Sequence, residues 1–239
     1  MEAPVDVVMA VKELWRAKSR LAGASAALGG TPAERVRAHH DLVLALAADT
    51  LAAVLATGVR SVVVVSSDPR VRTLSAGADR VRVVGDDGAG LDAAVRLGAQ
   101  VLRARSGAPG ALAALQADLP ALRPAELGDA LGAAARVYRD GSERGEGGDA
   151  AFVADHTGAG TTLLVTRPGV PPDPHFGPGS AAAHAASGAL ALVGAWSGLR
   201  LDVDTPDDLA RARALGVGPA TAAWPVTAAS IVRSVTCVP

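Results

Sequence analysis

The sequence predicts an α/β fold in which a mostly parallel central sheet lies between two layers of helices. The first half of the chain alternates short, almost continuous apolar runs with longer helical patterns. Such runs are typical of strands buried on both faces of a parallel sheet, and parallel strands need crossover connections. With 239 residues the chain can bury a full core, and we expect residues 1–239 to form a single domain.

Four apolar runs predict the strands of the first half. They are Val5–Val11, Val62–Val65, Val81–Val84 and Ala111–Leu115. Between them, Thr31-Pro32-Ala33-Glu34 is a capping box with proline at the first helical position, and it begins a long helix that ends at Gly58. Leu91–Arg105 has helical spacing, and Asp68-Pro69 begins a short helix. This order is a Rossmann-like layout, which by itself carries no function.

The predicted elements of the second half are shorter and less regular. We expect helices at Pro124–Tyr138 and Ser180–Ser187, strands at Ala151–Ala154 and Thr161–Thr166, a surface loop at Arg139–Asp149 and irregular chain at Pro168–Gly179. Ser180 is the expected N-cap of its helix. The tail from Gly216 is predicted to pack back on the body of the protein.

Composition excludes several classes of function. The formal net charge is −1, so no nucleic-acid partner or anionic membrane surface is indicated. A single cysteine, Cys237, excludes an intrachain disulfide and a cysteine metal cluster, and it favours a cytoplasmic protein. The first ten residues lack the pattern of a signal peptide, and we expect no apolar run of about 18–20 residues that could span a bilayer.

The segment Leu201–Leu209 is predicted as a strand, an acidic corner and a helix. Thr205 is a good N-cap, and Pro206 suits the first helical position. If the strand ends between Asp202 and Asp204, both carboxylates can turn toward one cation. Ligands bind at the carboxyl ends of strands in α/β proteins, so this corner indicates a metal-dependent site for a phosphorylated substrate. Which aspartate is the direct ligand stays open, with Asp204 favoured because it lies closer to the corner.

Asp118 follows the fourth predicted strand and precedes Leu119-Pro120. By itself this carboxylate could simply cap the next helix. Neighbouring strand ends of a parallel sheet lie together, however, and Asp118 could then join Asp202 and Asp204 in an oxygen site for one or two Mg²⁺ ions.

A basic segment follows the first predicted strand. Residues 12–20 contain four cations, among them Lys12, Lys18 and Arg20. Arginine and lysine pair with phosphate oxygens, so the segment is a candidate cradle for a triphosphate. The alternative is a solvated basic turn, and the chain has no Walker A pattern that would indicate a P-loop enzyme.

Glycines and hydroxyl side chains recur in two nearby segments. The first is Asp155–Thr162 and the second is Phe176–Ser180. Glycine-rich backbone can hold a small anion through its amide groups and at a helix start, whereas the alternative is a pair of ordinary turns. Three histidines of this region are not spaced as a metal triad, and we expect no catalytic base among them: His156, His175 and His184.

Five motifs occur together and in a characteristic order. They are Val11-Lys12 with Ala17–Leu21, Ala117–Leu122, Ala154-Asp155 with Gly158–Thr162, Phe176–Ser180 with His184, and Asp202–Leu209. In these motifs, from Val8 to about Thr221, the chain resembles the guanylyltransferases of coenzyme F420 biosynthesis, which act on phosphoenolpyruvate or 2-phospho-L-lactate. Each motif is weak alone, but the five together are a specific signal.

The resemblance implies a nucleotidyltransferase fold of the GT-A-like, three-layer type. It also implies that a phosphate oxygen of the three-carbon acid attacks the α-phosphorus of GTP and that pyrophosphate leaves. By this analogy Lys12, Lys18 and Arg20 hold the triphosphate, while Mg²⁺ is bound by Asp118, Asp202 and Asp204. A downstream transferase is then expected to take over the labile product.

For the acceptor, the resemblance implies a site formed by Thr162, Gly177 and Ser180, with Thr161 as the alternative threonine. One departure is Asp92, where the family more often has asparagine. The sequence also leaves two other functions open: a nucleotidyltransferase for a sugar phosphate or a molybdopterin-type acceptor, and a catalytically silent nucleotide-binding subunit.

Overall fold

The computed structural model of the protein describes residues 4–11, 19–75, 79–86, 88–105, 110–144 and 148–225. These residues form one sheet of seven strands. The strands are β1 (Val5–Ala10), β2 (Ser61–Val65), β3 (Val81–Val84), β4 (Ala111–Gln116), β5 (Ala150–Ala154), β6 (Thr161–Thr166) and β7 (Leu190–Ala191). Their order across the sheet is β3-β2-β1-β4-β6-β5-β7.

The same residues form eight α-helices and two 3₁₀ helices. The α-helices are α1 (Ala22–Ala26), α2 (Pro32–Ala56), α3 (Leu91–Arg105), α4 (Pro124–Arg144), α5 (Ser180–Ala186), α6 (Ser197–Arg200), α7 (Pro206–Leu215) and α8 (Pro219–Ala223). The 3₁₀ helices are Ser19–Leu21 and Pro69–Ser75.

The sheet is mostly parallel, as predicted. Strands β1 to β4 are parallel to one another, and β6 is antiparallel to both β4 and β5. The carboxyl ends of β1 and β4 therefore lie side by side at one edge of the sheet. In open α/β sheets this edge is where ligands bind.

Helices cover both faces of the sheet, which makes three layers. Val7 of β1 packs in a cluster with residues of α2 and α4, including Leu51 and Leu127. Val8, the next residue, faces the other way and packs against α3 through Leu102. Adjacent strand residues point to opposite faces, and both are fully buried here. The predicted α/β sandwich is confirmed.

Helix α2 begins at the predicted capping box. The Thr31 side chain accepts from the Glu34 N–H at 3.3 Å, and the Glu34 carboxylate accepts from the Thr31 N–H at 2.7 Å. By length and composition α2 is apolar enough to cross a membrane, which corrects the expectation that no segment would be. Its apolar window is 56% buried by the rest of the protein, as in a core helix.

The chain after α7 packs back on α2, as predicted for the tail up to residue 225. Both carboxylate oxygens of Asp49 in α2 accept backbone N–H groups of α8, from Ala220 at 3.0 Å and from Thr221 at 2.8 Å. The Trp224 indole donates to the Ala38 carbonyl at 2.9 Å. Residues 226–239, with Cys237, lie outside the described residues, so the single domain stays a prediction.

Two predicted boundaries were wrong. Helix α4 does not end at Tyr138 but continues to Arg144, because residues 139–144 keep the helical hydrogen bonding and Ser142 donates back to the Tyr138 carbonyl at 2.7 Å. Leu201–Asp204 is not a strand. Leu201 and Val203 alternate with polar residues because they pack in a cluster with Leu42 and Leu46 of α2, and not because they pair with the sheet.

We expect Gly98 to be essential for the packing of α3 on the sheet. A Cβ atom on Gly98 would lie 2.5 Å from Cγ1 of Val8 and 3.2 Å from Cγ2 of Val65, both in buried strands. Gly98→Ala should therefore lower the free energy of unfolding by about 1–3 kcal/mol in urea titrations, although alanine favours the helix.

Gly128→Ala in α4 is the matched control. Its Cβ atom would meet only Cγ2 of Thr57, at an ordinary contact distance of 3.7 Å. Helix propensity should then raise stability by up to about 1 kcal/mol. Equal effects of the two substitutions would contradict the packing argument.

Candidate active site

A cavity of about 620 Å³ opens at the carboxyl ends of β1 and β4. Ala10 and Val11 line it at the end of β1, and Gln116 lines it at the end of β4. Helix α2 contributes apolar side chains, among them Val43 and Leu46. Its volume falls in the range of about 300–1,000 Å³ that is usual for small-molecule sites.

Three carboxylates line this cavity, and they are called the acidic cluster: Asp118, Asp202 and Asp204. Asp118 follows the end of β4. The N–H of Val203 donates to the Asp118 carbonyl at 3.1 Å, which holds the two acidic segments side by side. Leu201 and Val203 are buried, and residues two apart on extended chain share a face, so Asp202 and Asp204 both turn to the cavity.

The start of α7 fixes the backbone next to Asp204. The Thr205 side chain accepts from the Asp208 N–H at 3.2 Å, and the Asp208 carboxylate accepts the N–H groups of Thr205 at 2.9 Å and Asp204 at 3.3 Å. Pro206 is the first helical residue. The predicted helix start is confirmed, and the Asp208 carboxylate is engaged in capping.

Arg20 is the one residue of the predicted phosphate cradle whose position can be described, because Lys12 and Lys18 lie outside the described residues. It lines the cavity, and its guanidinium lies 4.0 Å from the Asp204 carboxylate. Its side chain is 78% exposed, so this ion pair contributes little stability. Arg20 can therefore exchange this partner for a phosphate group.

The acidic cluster fits a divalent cation that is shared with a ligand. Within the described residues, no three His, Cys, Asp or Glu side chains form a complete metal site. Mg²⁺ is usually held by one or two carboxylates together with water and substrate phosphates, so it needs no such cage. Asp118 is 9% exposed, whereas Asp202 and Asp204 are partly exposed at the cavity.

A second group of cavity residues is called the hydroxyl wall: Thr161, Gly177, Gly179 and Ser180. Thr161 begins β6 and lines the cavity. Thr162 is fully buried, and its hydroxyl lies 3.5 Å from the Val153 carbonyl. Of the two predicted threonines, the structure brings Thr161 to the cavity.

The hydroxyl wall differs from the predicted helix-start site in one respect. The N-cap of α5 is Gly179, and Ser180, which was predicted as the N-cap, is the first helical residue. The N–H of Ser180 already donates to the Gly177 carbonyl, and that of Ala181 to the Ala159 carbonyl, both at 3.1 Å. A ligand would therefore meet the Ser180 side chain and the glycine backbone.

Comparison with known proteins gives the family. No established family profile matches the chain. The phosphoenolpyruvate guanylyltransferase of Salinispora arenicola, however, is 52% identical over 225 residues, which cover 93% of this chain and 94% of that protein. The chain belongs to the phosphoenolpyruvate guanylyltransferase family. The member from Streptomyces scabiei is 48% identical over 224 residues, covering 91% and 94% of the two chains.

Solved structures agree on the fold of this family member. A nucleotidyl transferase from Methanothermobacter superposes with a TM-score of 0.60 at 20% identity, covering 88% of this chain and 96% of that one. The 4-diphosphocytidyl-2C-methyl-D-erythritol synthase of Anaerococcus prevotii gives a TM-score of 0.52 at 9% identity, covering 89% and 95%. The predicted nucleotidyltransferase fold is confirmed.

Asp155 is a cavity residue of the guanylyltransferase that was not among the predicted site residues. Its carboxylate accepts the N–H groups of Thr157 at 3.0 Å and Ala159 at 3.1 Å, and so closes the turn before β6. A Cβ atom on Gly160 would lie 2.6 Å from this carboxylate, so the turn needs glycine there. The glycine-rich pattern of Asp155–Gly160 is the sequence signal for this turn, but the same pattern is also typical of an ordinary turn without a site.

Asp92 links the hydroxyl wall to helix α3. Its carboxylate accepts the N–H of Phe176 at 2.9 Å, directly before Gly177. Asparagine, which the family resemblance leads us to expect at this position, can accept the same bond through its side-chain oxygen. Aspartate in place of asparagine therefore preserves the contact that holds the backbone of Phe176, and this backbone segment before Gly177 is called the Phe176 loop.

We expect Asp92→Ala to release the Phe176 loop and Asp92→Asn to keep the hydrogen bond that holds it. Loss of a hydrogen bond to a charged acceptor is worth about 1.5–3 kcal/mol, so hydrogen exchange of the Phe176 amide should become at least about tenfold faster in the alanine variant. In the asparagine variant the exchange should stay close to that of the wild type. Unchanged exchange in Asp92→Ala would contradict this role.

Proposed function

We propose that this protein is a Mg²⁺-dependent guanylyltransferase that transfers GMP from GTP to phosphoenolpyruvate and releases pyrophosphate, in coenzyme F420 biosynthesis. The observation that carries the proposal is that the acidic cluster, Arg20 and the hydroxyl wall line one cavity. Residues that suit a metal-bound triphosphate and residues that suit a small anion thus face the same cavity, where two substrates could meet. The names of the relatives favour phosphoenolpyruvate over 2-phospho-L-lactate.

In the proposed reaction a phosphate oxygen of phosphoenolpyruvate forms a bond to the α-phosphorus of GTP. The bond from that phosphorus to the bridging oxygen breaks, and the electron pair leaves with pyrophosphate. Because the nucleophile is already an anion, no general base is required. Catalysis then rests on alignment and on neutralisation of charge.

The residues divide into three roles in this proposal. Asp118, Asp202 and Asp204 would hold Mg²⁺, which when bound supplies positive charge to the phosphate oxygens. Arg20 pairs with triphosphate oxygens, as do Lys12 and Lys18 by the family resemblance. Thr161 donates to the acceptor, and Ser180 does the same beside the backbone of Gly177.

Gly177 and Gly179 leave room for the acceptor. Their φ angles are 134° and 75°, which side chains other than glycine rarely adopt, and a Cβ atom on either would meet only open space. The glycines are therefore needed for the path of the chain and not to avoid a clash within the protein. An acceptor anion can approach the backbone there without a side chain in the way.

The product joins an enolpyruvyl phosphate to GMP through a labile anhydride, so we propose that a downstream transferase consumes it promptly. We also propose a cytoplasmic location, which fits a substrate such as GTP and a chain with one cysteine.

We expect purified protein with GTP, Mg²⁺ and phosphoenolpyruvate to release pyrophosphate in the presence of the transferase that consumes the product. Parallel reactions contain 2-phospho-L-lactate, a sugar phosphate or a molybdopterin-type acceptor instead. Turnover only with the sugar phosphate, or only with the molybdopterin-type acceptor, would show that the protein is a different nucleotidyltransferase. Binding of GTP without Mg²⁺ and without turnover would indicate a silent nucleotide-binding subunit.

We expect Asp118→Ala and Asp204→Ala each to lower kcat at least about a hundredfold, because each removes a carboxylate from the metal. Stability in metal-free urea titrations should not fall, since like charges held together repel when no cation is bound. Asp207→Asn, an exposed carboxylate in the first turn of α7, is the control and should keep wild-type turnover. Equal turnover in all three variants would exclude the metal role.

A further inference from the structure

His184 in α5 is completely buried, and it lies behind the hydroxyl wall. Three rings surround its imidazole, with centroid distances of 5.2 Å to Phe176, 5.8 Å to His175 and 5.9 Å to Phe152. It does not line the cavity, so it cannot touch a substrate there. Any effect on substrate must pass through a residue that does.

Both ring nitrogens of His184 have hydrogen-bond partners. Nε2 lies 3.0 Å from the backbone nitrogen of His175, and Nδ1 lies 3.0 Å from Oγ1 of Thr161. A backbone N–H can only donate, so Nε2 must be the unprotonated acceptor. Burial, and then the charge of His175, lower the pKa of His184, so the ring is neutral with its single proton on Nδ1.

This tautomer determines what the Thr161 hydroxyl can do. A protonated Nδ1 cannot accept, so the Thr161 hydroxyl can only act as an acceptor toward the histidine, whose N–H also has the Ser180 carbonyl as a backbone partner. The hydroxyl therefore keeps its own proton for another partner. No acceptor for that proton is present among the described contacts of Thr161, whereas Thr161 lines the cavity. The hydroxyl is thus set to donate to a group in the cavity.

We propose that His184 is a positioning residue that fixes the Thr161 hydroxyl as a hydrogen-bond donor to an anionic oxygen of the three-carbon acceptor, an inference that rests on the proposed function. A donor held in this way favours carboxylate or phosphate oxygens, which only accept. Through its other nitrogen the same ring holds the backbone of His175, directly before Phe176 and Gly177. One buried side chain therefore supports both edges of the hydroxyl wall.

Two amide substitutions separate the two bonds of His184. In His184→Asn the amide nitrogen stands near the position of Nδ1 and can still donate to Thr161. In His184→Gln the amide oxygen reaches the position of Nε2 and can accept from His175, but nothing donates to Thr161. Both lose the ring, so loss of packing is common to the pair.

We expect His184→Gln to raise KM for phosphoenolpyruvate about tenfold or more relative to His184→Asn, with KM for GTP equal in the two variants. If the role of His184 were purely structural, KM for phosphoenolpyruvate and KM for GTP would rise together. Alternatively, KM for phosphoenolpyruvate would rise equally in His184→Gln and His184→Asn. Either of those results would overturn the proposal.

A second measurement uses the native protein and does not depend on the stability of these variants. Nitrogen NMR distinguishes protonated from unprotonated ring nitrogens, and we expect His184 to carry its proton on Nδ1. A proton on Nε2 would overturn the proposal. As a further test, Thr161→Val should raise KM for phosphoenolpyruvate and Thr161→Ser should not, and His184→Gln should add nothing in the valine variant.

Calorimetry of phosphoenolpyruvate binding separates this inference from the proposed function. If the wild-type protein binds phosphoenolpyruvate but releases no pyrophosphate, the proposed function fails, and a weaker affinity of His184→Gln than of His184→Asn still supports the inference. If the wild-type protein turns over and the two variants do not differ, the inference alone fails. If it binds no phosphoenolpyruvate at all, both fail.

Discussion

The hydrogen bond from the Val203 N–H to the Asp118 carbonyl joins the two parts of the acidic cluster. It connects the end of β4 with a segment more than eighty residues later in the chain. The burial of Leu201 and Val203 and the capping box at the start of α7 support it from both sides. Three carboxylates that would repel one another are thus held together by backbone and apolar contacts.

The hydroxyl wall is supported in a different way. Its residues come from the start of β6 and from the irregular chain before α5, where glycine backbone leaves little side-chain packing. Polar side chains provide the support instead: Asp155 closes one turn, Asp92 holds Phe176, and the buried His184 binds Thr161 and His175. The bonds of His184 fix geometry most strongly, because this side chain is fully buried and a buried polar group is costly without its partners.

The sequence predicted β1 to β6 and the long helices, because apolar periodicity and capping boxes act locally, but it did not predict the two-residue strand β7. Its candidate site residues that the structure describes line the cavity, except Thr162. It misassigned Leu201–Asp204, since alternate burial against a helix gives the same pattern as a strand. It could not choose between Thr161 and Thr162, because neighbouring strand residues differ only in the face they occupy. His184 was discounted as a catalytic base, and its place behind Thr161 depends on tertiary contacts that no local pattern reveals.

The attachment of α8 to Asp49 has a consequence for biosynthesis. The chain leaves the ribosome amino terminus first, so the residues of β1 to β4 and of their helices are synthesised long before residue 200. Asp202 and Asp204 emerge near the end, and the segment that follows them gains its polar attachment to α2 when Ala220 and Thr221 reach Asp49. A nascent chain thus completes the acidic cluster only after all seven strands of the sheet have been synthesised.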